Sequence, residues 1–253
     1  MNAVPKKQLG QHFLVDENIL GVIEGLADLQ ESDVVLEIGP GLGMLTWYLS
    51  ERVAHVHAVE LDRSLEPRLV DIPRTTLHWG DALTLDLTAL GPPPTKLVAN
   101  LPYNIATPLV VESLDRLPGI SSWCVMVQRE VADRFFASPS TKAYGAVSVL
   151  IQLVTERTGF HGVSREVFRP RPNVASALVA FRRIAPGIPP GVKQIVEGAF
   201  AHRRKTLANS LALTGVATRE QAATALGSIG RDSAVRAEAL KPPEFVVLAA
   251  ELA

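Results

Sequence analysis

Val34-Val35-Leu36-Glu37-Ile38-Gly39-Pro40-Gly41-Leu42-Gly43-Met44-Leu45-Thr46 decides how this chain is read. The apolar, β-branched run before the first glycine has the length and composition of a buried strand in a parallel sheet. Residues 44–53 then carry apolar side chains at helical spacing. The alternating glycines therefore lie in a strand-to-helix turn. There a missing Cβ lets a ligand reach the backbone, and the unpaired N–H groups of the helix start face it. Many nucleotide sites and some structural turns share such a loop, so its surroundings must discriminate.

The pattern repeats downstream. A strand expected over 55–61 brings Glu60 and Asp62 about 20 residues beyond the first glycine, where a carboxylate can accept hydrogen bonds from both ribose hydroxyls. A helical stretch over 65–70 and a strand over 75–79 lead to Gly80-Asp81-Ala82. Asp81 closes this third strand at the same sheet edge as Gly39 and Glu60. It can accept from the amino group of an adenine there, or cap a helix.

Pro92-Pro93-Pro94 turns the chain into a fourth strand, 96–99, that runs into Asn100-Leu101-Pro102-Tyr103-Asn104-Ile105. Pro102 has no N–H and holds its predecessor extended, so the Asn100 amide and the carbonyls of Leu101 and Pro102 can project from the strand end. Tyr103 adds an aromatic face. Oxygen acceptors beside a stacking ring are what a pocket needs to grip a planar base by its exocyclic amine. The structural alternative is a proline turn with Tyr103 packed in the core.

Further on, a helix over 108–117, a strand over 123–127 and a helical segment over 128–136 are expected. Residues 138–145 read as a mobile loop, 146–154 as a buried element of either type, and 174–181 as a closing strand. In Val167-Phe168-Arg169-Pro170-Arg171-Pro172-Asn173-Val174, Phe168 stacks on a flipped base while Arg169 and Arg171 meet phosphates, or Phe168 plugs the sheet edge. Residues 184–191 are a Pro- and Gly-rich linker. Beyond it the pattern is helical over 192–201, 206–213, 219–226 and 244–252, and His202-Arg203-Arg204-Lys205 concentrates positive charge suited to a phosphate backbone. Lys6 and Lys7 open a basic arm ending at Leu14, either a terminus tucked onto the domain or a flap over ligand or RNA.

The 253 residues carry a formal net charge of −1, so nucleic-acid affinity must come from a local patch. The single cysteine, Cys124, lies in an apolar run and excludes both a disulfide framework and a cysteine zinc site. Without a secretory-type leader or an apolar stretch long enough to cross a bilayer, the expectation is a cytoplasmic protein.

Along nearly its whole length the chain resembles the bacterial small-subunit ribosomal RNA adenine dimethyltransferases, the group responsible for kasugamycin sensitivity. The matching segments are Leu9-Gly10-Gln11-His12-Phe13-Leu14, residues 37–43, Val59-Glu60, Gly80-Asp81-Ala82, residues 100–105, Lys142-Ala143-Tyr144-Gly145, residues 168–174 and Arg203-Arg204-Lys205-Thr206-Leu207. The resemblance implies an α/β fold: a Rossmann-like S-adenosylmethionine-dependent methyltransferase sheet over 1–183, and a small all-helical rRNA-docking domain over 184–253. It implies S-adenosylmethionine as methyl donor and two adjacent adenosines in a hairpin near the 3′ end of 16S rRNA as target, within the small subunit or its precursor.

By the family pattern, His12 and Leu14 border the cofactor pocket, and Gly39, Gly41 and Gly43 pass the methionine part. Glu60 holds the ribose, Asp81 with Ala82 the adenine, and Asn100 bridges cofactor site and target. Asn100, Leu101, Pro102, Tyr103 and Phe168 are the expected catalytic set. Lys6, Lys7, Arg169, Arg171, Arg203, Arg204 and Lys205 are the expected RNA contacts. A monomer acting without metal or membrane is expected. Asn173, Ala175 and His202 depart from the usual family residues and bear on the RNA contacts. Two rival readings are a non-catalytic RNA-binding assembly or transcription factor on this fold, and a large-subunit rRNA methyltransferase conferring antibiotic resistance. A nicotinamide-dependent dehydrogenase gives no reason for residues 100–103.

Overall fold

In the computed structural model, Lys6 and residues 11–252 are described. The strand read first is its centre: β2 (Val34–Ile38) is buried at every position, and it follows a two-residue strand β1 (Phe13–Leu14) and helix α1 (Asn18–Ala27). Then come α2 (Met44–Ser50), β3 (His55–Glu60), α3 (Glu66–Leu69), β4 (Thr75–Trp79), β5 (Lys96–Asn100), α4 (Ala106–Arg116) and β6 (Ser122–Gln128). The chain continues through α5 (Arg129–Phe135), α6 (Ala146–Val154), β7 (Thr155–Val163), β8 (Phe168–Arg169) and β9 (Ser176–Arg183). Helices α7 (Val192–Ala201), α8 (Leu207–Leu213), α9 (Arg219–Ser228) and α10 (Pro242–Glu251) complete it.

One sheet has the order β4-β3-β2-β5-β6-β9-β7, and β1 pairs separately with β8. From β4 to β6 all pairings are parallel; β9 returns antiparallel to β6. Because parallel strands share a direction, β2, β3, β4 and β5 all end at one edge, where open α/β sheets hold ligands. Apolar side chains of α1 and α2 pack on one sheet face with Val35, Val56, Ala58 and Val98. Cys124 belongs to this core, and burial pushes its thiol up to about 12, as a small core residue would show.

The chain divides into two compact units: Met1–Ala132 with Glu156–Arg183, and Asp133–Thr155 with Ile184–Ala253. The helical unit resumes at Ile184 and also takes in residues 133–155, which the sequence reading had assigned to the sheet domain. The reason is α6, the segment whose type periodicity left open: it is an apolar helix that packs on α7 and α10. The segment 138–145, expected to be mobile, is tied down inside this unit. Tyr144 is fully buried and its hydroxyl donates to the Leu240 carbonyl at 2.8 Å, while the Ser140 N–H donates to the Glu238 carbonyl at 2.7 Å. Strand β7 escaped the sequence reading because, as an edge strand, it exposes Glu156, Arg157 and Thr158 consecutively and shows no apolar alternation.

Tyr144→Phe removes the side-chain donor to the buried Leu240 carbonyl and should destabilise the protein by about 1–2 kcal/mol. Urea unfolding would show this as a lower midpoint, and an unchanged midpoint would contradict the packing described.

Candidate active site

Four strand ends and the N-terminal strand converge on one cavity. It is lined by His12 just before β1 and Leu14 within it, Glu37 to Gly41 at the end of β2 and beyond, Glu60 and Leu61 at the end of β3, Gly80 to Ala82 after β4, and Asn100 to Ile105 from the last residue of β5 onward. Each glycine-turn residue is placed by what crowds it. At Gly41 the backbone is left-handed (φ +58°), and a Cβ would stand 2.9 Å from the Phe13 ring. A Cβ at Gly39 would meet the Pro102 ring at 3.1 Å, so the two sequence motifs pack directly on each other. Gly43 is a correction. It caps α2 and faces Leu69 and Ile72 rather than the cavity, so close helix packing accounts for it.

Glu60 accepts N–H bonds from Gly41 at 3.2 Å and from Asp62 at 2.8 Å. Burial raises its pKa against the pull of these backbone donors. A carboxylate offers about four acceptor positions, so acceptor capacity remains on the side chain, which lines the cavity. Asp81 Oδ1 accepts from the Leu83 N–H at 2.9 Å, the turn-capping role weighed from sequence, and the side chain lines the cavity. Ala82 is buried in the same wall.

At the end of β5, the Asn100 Nδ2 donates to the His12 carbonyl at 3.2 Å. A carbonyl can only accept, so this contact fixes which end of the amide is nitrogen and leaves Oδ1 for a ligand. The Leu101 N–H is bound to the Met126 carbonyl, which continues the sheet ladder past Asn100. The Pro102 carbonyl accepts the N–H groups of Ile105 and Ala106, both at 3.1 Å, and so opens α4. Both its lone pairs are used, which corrects the expectation that it grips the target amine; the Leu101 carbonyl is the remaining backbone acceptor. Tyr103 is anchored by a 2.6 Å hydrogen bond between its hydroxyl and Ser176 Oγ, and its ring lies 5.5 Å from that of His12.

Phe168 is the clearest correction. It is fully buried and packs in the core with Leu14, so it does not stack on a base. In a two-residue strand alternate side chains face opposite ways: pairing of β8 with β1 sets Phe168 inward opposite Leu14 and Arg169 outward opposite Phe13. Arg169 donates to the carbonyls of Glu166 and Phe168, and Arg171 pairs with Glu166 at 2.7 Å. An exposed pair of this kind is worth about 0–1 kcal/mol.

Lys6, expected on RNA, instead reaches Asp62 at 2.5 Å and Ser64 at 3.3 Å. Although burial works the other way, hydrogen bonds from Lys6, Ser64 and Gln11 hold the Asp62 carboxyl well below the usual carboxylate range. Lys7 lies outside the described residues. In the helical unit, Arg203 donates to the Tyr144 carbonyl at 2.8 Å and faces Glu238, so it braces the 138–145 segment. Arg204 and Lys205 are exposed.

A model of the family described as ribosomal RNA adenine dimethylase matches residues 3–248. The chain belongs to that family. Its relatives include the ribosomal RNA small subunit methyltransferase A of Rubrobacter xylanophilus, 48% identical over 96% of this chain and 94% of that one. The protein of the same name from Syntrophotalea carbinolica is 44% identical over 98% and 97% of the two chains. A dimethyladenosine transferase from Plasmodium falciparum has the same fold, with a TM-score of 0.80, 22% identity and coverage of 94% and 96%. The 23S rRNA methyltransferase ErmE aligns with a TM-score of 0.65, 28% identity and coverage of 95% and 99%.

Dimethylases of this family use S-adenosylmethionine, and the cavity fits that donor. Among the described residues lining it are the acids Glu37, Glu60 and Asp81 and no Lys or Arg, a setting that favours a cationic ligand. Glu37 is the residue that sequence reasoning passed over in this dimethylase. It sits at the cavity floor almost wholly buried, and its Oε2 has no hydrogen-bond partner. Burial, opposed by the neighbouring Thr46 hydroxyl and reinforced by the charge of Glu60, pushes it up to about 8. A glutamate inside an apolar strand, directly before a glycine turn, was the available signal.

Between its ordinary value of 4.5 and about 8, folded Glu37 keeps a proton that the unfolded chain has released. Its contribution to stability therefore declines as pH rises through that window, by up to about 1.4 kcal/mol per unit. In urea unfolding without donor, Glu37→Gln should gain stability relative to wild type between pH 5.5 and 7.5. Parallel pH profiles would refute the assignment.

Proposed function

We propose that the chain transfers methyl groups from S-adenosylmethionine to the exocyclic amines of two adjacent adenosines in a hairpin near the 3′ end of 16S rRNA, dimethylating each. The observation that carries the reading is the fixed Asn100 amide, whose oxygen is left free at the rim of the donor cavity beside the Leu101 carbonyl and the Tyr103 ring. Family membership and relatives named for small-subunit rRNA methylation support the substrate.

When bound, the donor supplies a methyl group already activated on a sulfonium. The remaining difficulty is the target amine, whose lone pair is delocalised into the purine. Asn100 Oδ1 and the Leu101 carbonyl accept its two hydrogens, favouring a pyramidal nitrogen aligned with the methyl group. Tyr103 fixes the plane of the extruded base, and its Ser176 anchor keeps the ring from swinging away. Glu60 holds the donor's ribose and Asp81 its adenine; the chain from Gly39 to Gly41 passes its methionine end. No strong base is required, since the alkylated ammonium is acidic enough to lose its proton to these acceptors or to water.

Arg169, Arg171, Arg204 and Lys205 meet the RNA backbone, and the helical unit docks on the ribosomal particle. With a net charge of −1 the chain lacks a global field for naked RNA, which favours an assembling particle as substrate. The chain acts as a cytoplasmic monomer in this reading. Among the described residues no helix is long and apolar enough to cross a membrane.

Asn100→Ala should cut methylation of undermethylated small subunits by about a hundredfold, with donor affinity changed only a few-fold and the melting temperature retained. Near-normal turnover in that variant would remove Asn100 from the mechanism. Donor binding with no transfer by wild type would instead favour an assembly role.

A further inference from the structure

A target nucleotide brings phosphates as well as a base, and these call for a cation within one nucleotide's reach of the slot at Asn100 and Tyr103. The donor cavity has no Lys or Arg among the described residues of its wall. Strand order puts β6 and β9 on the other side of β5. Register then fixes what lies nearest. The Tyr103 hydroxyl is bound to Ser176 at 2.6 Å, and Ser176 stands opposite Gln128 in the β6–β9 pairing. Opposed residues of antiparallel strands are about 5 Å apart and successive residues about 3.8 Å, so the residue after Gln128 lies within about 9 Å of Ser176, Cα to Cα.

That residue is Arg129, for which neither donor binding nor the amine acceptors give a reason. Its N–H donates to the Ala175 carbonyl at 2.9 Å, which carries the β6–β9 ladder one residue past Gln128, and α5 starts from it. The side chain is exposed, yet it rests on a shelf. Its guanidinium carbon lies 4.7 Å from the centre of the Phe160 ring, and Nη1 passes Gly162, where a Cβ would stand 3.6 Å away. Stacking on a ring holds the plane of a guanidinium without neutralising its charge, and a planar fork is the geometry that meets phosphate oxygens two at a time.

We propose that the Arg129 guanidinium, shelved on Phe160, binds a phosphate of the RNA strand within one nucleotide of the extruded adenosine. The proposal rests on the rRNA-methylation reading above and adds a contact on the side of the base away from the donor. It sets the register of the strand: with the base on Tyr103 and the phosphate at the end of β6, the sugar spans the step from Ser176 to Arg129. A strand with two adjacent target adenosines must exchange one phosphate for the next at Arg129 between the two. The contact is the same before and during methyl transfer, so it contributes to binding and leaves the chemical step alone. Its charge separates it from a packing role, because each phosphate contact adds about 0.7–0.9 to the dependence of log affinity on log salt.

The test is steady-state methylation of undermethylated small subunits by the full chain over a range of KCl concentrations, with donor affinity read separately by isothermal titration. Arg129→Gln should raise KM for the subunits about tenfold and keep kcat within about twofold. Its slope of log KM against log salt should be lower than wild type by about 0.7–1. Donor affinity and the urea midpoint should be unchanged. Arg129→Lys, which keeps the charge and loses the fork, should keep the wild-type slope with an intermediate KM. Phe160→Leu, which removes the shelf and leaves the charge, should also raise KM at the wild-type slope. Unchanged KM and slope in Arg129→Gln would overturn the proposal. So would a raised KM at the wild-type slope, or a fall in kcat with KM kept, since either marks Arg129 as a support for the fold around Tyr103. Should Arg129→Gln fail to fold, Arg129→Lys decides alone: a slope flatter than wild type, or a KM equal to it, overturns the proposal. Donor binding by wild type with no transfer to the subunits would instead remove the substrate reading, and the proposal with it.

Discussion

Parallel pairing of β2 with β3 on one side and β5 on the other is the constraint from which the site follows. Parallel strands must end together, so every chemical group placed just after a strand is delivered to the same edge whatever its distance along the chain. Glu37, Glu60, Asp81 and Asn100 are brought together in this way. The cost is electrostatic: three carboxyl groups share a partly buried cavity with no Lys or Arg among the described residues of its wall. Lys6 relieves Asp62 from outside, and backbone N–H groups relieve Glu60, but Glu37 is left to its proton. Such a setting favours a cationic ligand.

The second half of the site depends on a contact between distant pieces of chain. Asn100 is oriented by the His12 carbonyl, and His12 directly precedes β1, which is held by pairing with β8. Phe168, buried in the core with Leu14, holds that short strand in place. The His12 side chain reinforces the arrangement through the Pro170 carbonyl. The proline-stiffened loop around residues 167–174 thus supports the acceptor amide on one side and offers Arg169 and Arg171 to solvent on the other.

Much of this was legible in the sequence. Parallel strands buried on both faces read as apolar runs, so β2, β5 and β6 could be placed from residue order alone, while the half-exposed edge strand β4 was placed by its β-branched and aromatic residues ahead of Gly80. Side-chain direction was harder. Phe168 flanked by arginines carries the same composition whether it faces a base or the core, and only its pairing partner decides. Pro102 offers a carbonyl in any strand-end reading, yet the start of α4 consumes it. The helical unit was bounded at 184 because the linker is visible in composition, whereas the capture of residues 133–155 depends on α6 packing on α7 and α10, a long-range event. Glu37 was overlooked because an acid within an apolar strand resembles an ordinary motif residue until its burial is known.

A crystal structure of the chain with S-adenosylhomocysteine tests the account most directly. The adenine amine should lie at Asp81, the ribose hydroxyls at Glu60 and the amino-acid end beside residues 37–41. Asn100 should keep its bond to the His12 carbonyl, with Oδ1 facing the thioether sulfur across the space a base would fill. Ligand density away from this sheet edge, or an Asn100 amide reversed with its nitrogen toward that space, would contradict it.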